Sequence, residues 1–225
     1  MTDEKLACIY RPKLYFDVKE PFVIDAVGYT IFRDAHRSAS FPSRIIKPAE
    51  GGCVIEYAFW YDYDIQHLYE LEHIWVYLDA EGQILEAEGS FHGKFLRLVE
   101  PFANQIKIEN ETRVCAYVQP GKHALMAAPE LFHLYCGADR CCMEEAGNDG
   151  IAPGVMVKDC FDISDEMQRK TKKYIKAKYG FRPSFHFEVR EYKPELLMPW
   201  EELLKSIPER MQRQMDIISN WEEEE

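Results

Sequence analysis

The feature that most constrains this chain is the spacing of its aromatic and β-branched residues. They fall in short runs at Leu14 to Phe16, Ala26 to Phe32, Val54 to Tyr61, Leu71 to Leu78, Ile84 to Ala87, Phe95 to Val99 and Val114 to Val118. Such runs fit a pleated, half-buried surface and read as strands. Breakers separate them at Glu20-Pro21, Glu50-Gly51-Gly52, Asp79 to Gly82, Gly93 and Gln119-Pro120-Gly121. Asp79 to Gly82 between two runs predicts a hairpin. Many short strands at close spacing predict a mainly β fold, an antiparallel β-sandwich, over a sheet built from βαβ units.

Two flanking helices are predicted near the C-terminus. Ser164 to Lys178 opens with a capping Ser followed by Asp165 and Glu166, acids suited to a first turn. Pro199 to Trp221 carries Leu203, Leu204, Ile207, Met211, Met215 and Ile218 at near-helical spacing, interrupted by Pro208. Ser184 to Tyr192 alternates as a further strand would. With no repeat and no Gly-, Ser- or Pro-rich linker, residues 1–225 read as one domain. In it 8–130 form the sandwich core and 131–225 add a strand and covering helices.

The 27 basic residues are outnumbered by 39 acidic ones, a net charge of -12. That field repels phosphate backbones, so nucleic acid is not an expected partner. No apolar run approaches the roughly 20 residues a membrane-spanning helix needs. The opening MTDEKLACIY lacks a basic segment followed by an apolar one, and the 7 cysteines show no framework spacing. Reduced thiols in a cytoplasmic protein are the expectation.

The stretch Asp62 to His73 concentrates two Asp, two Glu and two His and runs straight into an apolar strand. Alternation places Glu70 and Glu72 on one face with Ile74, Val76 and Leu78, two carboxylates at the end of an apolar surface. Buried like charges need a cation, a proton or hydrogen-bond donors. His67, expected on a loop before the strand, turns back toward the same place, with Asp62 and Asp64 just upstream. This set (Asp62, Asp64, His67, Glu70, Glu72) suits a divalent ion: Ca²⁺, Mg²⁺ or Mn²⁺ for an oxygen-rich shell, or Zn²⁺ if more His join. The competing reading is a solvated acidic edge without an ion. His73 has the opposite parity and is expected to pack or hydrogen-bond.

The order of motifs resembles that of the necrosis-inducing (necrosis- and ethylene-inducing peptide-like) cytolysins, with their Gly-His-Arg-His-Asp-Trp-Glu motif followed by His and a run of Val. It also resembles the Trp-Glu-His strand of the related vacuolar protein sorting-associated proteins. The family's first His falls on His67, its Asp on Glu70, its Glu on Glu72 and the following His on His73. Gln66, Tyr69 and Leu71 replace its Gly, second His and Trp. Gly89-Ser90-Phe91-His92-Gly93 and Val114 to Ala124, ending in Gly121-Lys122-His123-Ala124, keep the family order. So do Tyr10 to Leu14 and Glu20-Pro21-Phe22, so that the resemblance covers about residues 8 to 130. It implies a β-sandwich and a divalent cation held by His67, Glu70, Glu72 and either Asp62 or Asp64. In the cytolysins this site serves binding to sugar headgroups of membrane lipids. The replaced positions argue against toxin activity here.

His92 and His123 sit beside glycines in turns, where either reaches a pocket mouth as a ligand or base. The segment Cys136 to Cys142, with His133 nearby, matches no paired-cysteine zinc spacing and reads as redox-sensitive or incidental. Asn148-Asp149-Gly150 reads as a turn. No phosphate-binding glycine loop, nucleophile elbow or zincin helix is present. Three functions remain in competition. The first is a metal-dependent binding module for a small polar ligand such as a sugar or lipid headgroup, with Tyr61, Tyr63 and Tyr69 offering faces for stacking. The second is a metal-dependent hydrolase whose base is drawn from Glu70, Glu72, His92 or His123. The third is a structural acid and histidine network with no ion.

Overall fold

The computed structural model describes residues 1–135, 137–152 and 160–223. The chain opens with helix α1 (Asp3–Ile9) and strand β1 (Lys13–Asp17). There follow β2 (Ala26–Phe32), β3 (His36–Arg37), β4 (Ile45–Ile46) and the two long strands β5 (Cys53–Tyr63) and β6 (His67–Leu78). Next come β7 (Ile84–Phe91), β8 (Lys94–Arg97), β9 (Ile108–Glu109), β10 (Arg113–Val118), β11 (Leu125–Met126) and β12 (Gly150–Ile151). The C-terminal part holds α2 (Asp165–Tyr179), β13 (Phe187–Val189), β14 (Leu197–Pro199) and α3 (Trp200–Ser219).

Seven strands form the larger sheet in the order β14-β2-β5-β6-β7-β8, with β12 beside β6. The smaller sheet runs β11-β10-β1-β13, with β9 beside β10. The mainly β expectation holds, and so do the two late helices. The antiparallel sandwich does not hold as stated, because both sheets are mixed. β1 runs parallel to β10, β12 to β6 and β14 to β2. Parallel neighbours need long crossovers, and here the partners of β1 and β2 arrive from about 100 and 170 residues further on, beyond the reach of local pattern.

β5 explains the layering. Ten of its eleven residues are buried, because each face of the larger sheet has a cover. Tyr57, Phe59 and Tyr61 point into a core shared with Leu14, Phe16, Val114, Ala116 and Val118 of the smaller sheet. Ala58 and Trp60 face the opposite way, into a core completed by Tyr174 and Ile175 of α2 and by Leu203, Ile207 and Met211 of α3. A strand covered on both sides reads as a continuous apolar run, as this one does. Gly28 on β2 lets α3 approach, since a Cβ there would stand 3.0 Å from both Leu203 Cδ2 and the Trp200 ring.

α3 runs unbroken through Pro208. The proline removes one backbone donor and crowds the preceding turn. Burial of Trp200, Leu203, Ile207, Met211, Met215 and Ile218 along one face outweighs that cost. Among the described residues no helix is long and apolar enough to cross a membrane.

Candidate metal centre

The turn between β5 and β6 is tied by Asp64. Its backbone N–H donates to His67 O at 2.9 Å, and its Oδ1 accepts the Gln66 N–H at 2.6 Å. His67 therefore opens β6, where the loop position expected for it would have left it free. Its Nδ1 lies 2.8 Å from the Tyr69 carbonyl. A carbonyl only accepts, so Nδ1 carries a proton and Nε2 is the ring atom turned to the carboxylates. That Nε2 stands 3.8 Å from Asp64 Oδ1 and 3.8 Å from Glu70 Oε2.

Residues 67 and 70 would point to opposite faces of a regular strand. Tyr69 adopts a φ of 52°, a left-handed conformation that costs a non-glycine residue on the order of 1–3 kcal/mol. It breaks the alternation and brings Glu70 round to His67. The strain is held by packing, for the Tyr69 ring stacks on Trp60 with centroids 4.7 Å apart. One ligand atom from each of Asp64, His67 and Glu70 then lies within 4.8 Å of the others. Two carboxylates and an imidazole anchored through Nδ1–H make a chemically suitable donor set for a divalent cation.

The charge balance of the site is specific. Lys122 Nζ, from the turn after β10, lies 2.9 Å from Asp64 Oδ1 and 2.8 Å from Oδ2. Burial works against ionising Asp64, but His67, Lys122 and His123 together hold its carboxyl below the usual range. Asp64 is thus an anion that already has a cation beside it, and any metal ion competes with Lys122 for it. Glu72 shares the face of Glu70, as alternation requires, yet it does not join the three. It is buried and accepts the Ser90 hydroxyl. Burial first, and the Glu70 charge second, push its carboxyl well above the ordinary value.

Asp62 and Asp64 part company despite their shared parity. Asp62 faces α3, accepting from Trp60 Nε1 at 2.8 Å and Gln214 Nε2 at 2.5 Å. His73 packs as expected, stacked on Trp75 and 3.0 Å from Ser40 Oγ. Tyr61, Tyr63 and Tyr69 are all buried, so they offer no free face to a sugar. Their rings are consumed by the two cores.

His92 does line a cavity, of about 270 Å³, with Gln119 and Lys122. His123 does not reach a pocket mouth: it is fully buried. Its ring stacks on Tyr61 at 3.9 Å, with Nε2 3.5 Å from Glu20 Oε1. The turn that carries it docks on the β5–β6 turn through Ile65 N–H to Gly121 O at 2.8 Å. Gly121 (φ +70°) is required there, because a Cβ would lie 2.8 Å from Cys142 Sγ and 2.9 Å from Ile65 Cβ. Glu20 closes the same turn, accepting the Gly121 N–H at 2.8 Å. Lys122, Glu20, Ser90 and Gln119 are the polar partners that residue patterns alone did not single out. Cys141 and Cys142 are buried free thiols, His133 packs against Phe185, and Cys136 lies outside the described residues.

These elements define a mainly β, mixed-sheet protein with a candidate cation triad at the mouth of its longest hairpin. No protein-family model matches the chain, and no match was found among curated proteins or solved structures.

Proposed function

We propose that this chain is a divalent-cation-dependent binding module for a polar ligand such as a sugar or lipid headgroup. Asp64, His67 and Glu70 hold the ion, and the ligand occupies the neighbouring cavity lined by His92, Gln119 and Lys122. The observation that carries this reading is the His67 ring: its Nδ1–H is committed to a backbone carbonyl, and its free Nε2 faces two carboxylate oxygens at equal distance. Metal-binding histidines are oriented in this way. The half-exposed Tyr135 ring, stacked on His92 in the cavity wall, supplies the aromatic surface that the buried tyrosines do not.

The resemblance to the necrosis-inducing family supports a cation at His67 and Glu70 with an upstream Asp, though it also implied Glu72, which is turned to Ser90. The replacements at Gln66, Tyr69 and Leu71 leave toxin activity out of it. The test is binding of immobilised sugars and lipid headgroups in the presence of Ca²⁺, Mg²⁺, Mn²⁺ or Zn²⁺, with and without chelator, beside His67→Ala. Ligand retained only with ion, and lost in the variant, is the expected result. Ligand binding that survives both chelator and His67→Ala removes the ion from the account.

A second reading, a metal-dependent hydrolase, draws on Glu72. A buried carboxyl two residues from Glu70, accepting a serine hydroxyl, is of the type that passes a proton to or from an ion-activated water. Turnover of ester, phosphoester or glycoside substrates that requires the ion and disappears in Glu72→Gln selects this reading over the binding module.

A further inference from the structure

The cavity beside the triad has a wall chemistry of its own. Gln119 is completely buried, and its side-chain Oε1 lies 2.8 Å from His92 Nε2, while its Nε2 has no partner. An amide N–H buried without an acceptor costs about 1–3 kcal/mol, which a bound acceptor atom recovers. Lys122 has three N–H groups, and its hydrogen bond to Asp64 Oδ1 uses one of them. Arg140 stands in the same wall, its guanidinium 2.8 Å from Glu145 and otherwise open. The two cations of the wall are each paired with a carboxylate, Lys122 with Asp64 and Arg140 with Glu145, so what they offer a ligand is their remaining N–H groups. Donors outnumber acceptors in it, so the complementary ligand is rich in oxygen acceptors.

Cys141 completes the wall. Its sulfur lies 3.6 Å from that of Cys142, and its S–H donates to the Ala138 carbonyl at 3.2 Å. The hydrogen bond with Cys142 and the Lys122 charge lower its pKa, against burial, which raises it.

We propose that this cavity binds a compact oxyanion, a carboxylate or phosphate group of a metabolite-sized molecule, with Gln119 and Lys122 donating to its oxygens, Arg140 at the wall and the Cys141 thiol alongside. The site uses no carboxylate of the triad as a ligand, and it stands or falls in metal-free protein.

Two alkylating reagents of nearly the same size test it in the presence of chelator. Iodoacetate carries a carboxylate and iodoacetamide does not. Each forms a carbon–sulfur bond at a thiolate while iodide leaves with the carbon–iodine electron pair and the thiol proton passes to water. In an acidic protein an ordinary surface thiol disfavours the anionic reagent, and the exposed Cys160 reports that baseline within the same molecule. Rates are read at each cysteine by peptide mapping.

The expected result is an iodoacetate-to-iodoacetamide rate ratio at Cys141 about tenfold above that at Cys160. Gln119→Glu, which keeps the size and the acceptor for His92, is expected to erase this excess. Arg140→Ala, at an exposed position that leaves the fold intact, is expected to reduce it. Protection of Cys141 by inorganic phosphate or by malate then assigns the phosphate or the carboxylate source. The proposal is overturned if the ratio at Cys141 does not exceed that at Cys160, if neither reagent reaches Cys141, or if both variants leave the ratio unchanged. His67→Ala should not alter the ratio, so failure here is distinguishable from failure of the cation assignment.

Discussion

Asp25 accepts the Asp62 backbone N–H at 2.8 Å, where burial above all, with the Asp62 charge adding to it, raises its carboxyl from the ordinary 3.8 to about 6. A carboxyl raised on folding contributes stability that is complete below pH 3.8 and is lost as the pH climbs through about 6. Asn in its place keeps the acceptor for Asp62 and cannot ionise. Urea unfolding of Asp25→Asn is therefore expected to match wild type near pH 3.5 and to exceed it by about 1–2 kcal/mol at pH 8, a figure reduced for partial exposure. The two histidines of the turns separate at the same scale. His123→Ala removes a buried ring stacked on Tyr61 and is expected to cost about 3 kcal/mol. His92→Ala, at a cavity wall, is expected to cost under about 1 kcal/mol. Equal losses in the two variants would contradict the burial of His123 against Tyr61 of β5.

At the scale of elements, the contact of α3 with β2 is made through Gly28. A Cβ there meets Leu203 and Trp200 side chains at 3.0 Å and the Trp200 backbone at 3.4 Å. Gly28→Ala asks two side chains to yield by a few tenths of an ångström. Gly28→Val pushes the helix off the sheet and is expected to lower stability by about 3 kcal/mol or more, read by chemical unfolding, against about 1 kcal/mol for the alanine. These elements also show what the residues reveal locally. β2 runs over Ala26–Phe32, the bounds its apolar run predicts, and pairs with β5 along its whole length. α2 carries the predicted cap, with Ser164 Oγ accepting the Met167 N–H at 3.1 Å. α1 had the same kind of signal, since Thr2 Oγ1 accepts the Lys5 N–H at 3.3 Å ahead of Asp3 and Glu4, and the apolar pattern over seven residues was too short to reveal it. The parallel partner of β1 left no local trace, because Lys13 pairs with Cys115 of a neighbouring strand about 100 residues further on.

At the scale of the molecule, the candidate centre is partly local and partly assembled from afar. Asp64, His67 and Glu70 come from one hairpin and are readable as a cluster. The left-handed Tyr69 that unites them depends on the Trp60 ring from β5, and Lys122 arrives from the turn beyond β10. Alternation alone instead grouped Glu70 with Glu72 and left Asp62 and Asp64 undivided. Asp62 is turned away by Gln214 of α3, which follows it by 152 residues. An ion held by the triad must link binding to folding: at a concentration of about a hundred times Kd it adds about 2.7 kcal/mol. For a chain of this size that amounts to a rise of roughly 5–10 °C in Tm.

The most direct measurement is elemental analysis of the purified protein beside His67→Ala, with melting curves of both before and after chelator. The expected result is about one divalent ion per wild-type chain, a Tm that falls by several degrees with chelator, and a variant with neither the ion nor the chelator response. Wild-type protein that holds no ion, and whose melting is unmoved when Ca²⁺, Mg²⁺, Mn²⁺ and Zn²⁺ are each added back, would contradict the account and leave Asp64, His67, Glu70 and Lys122 as a structural network of charges.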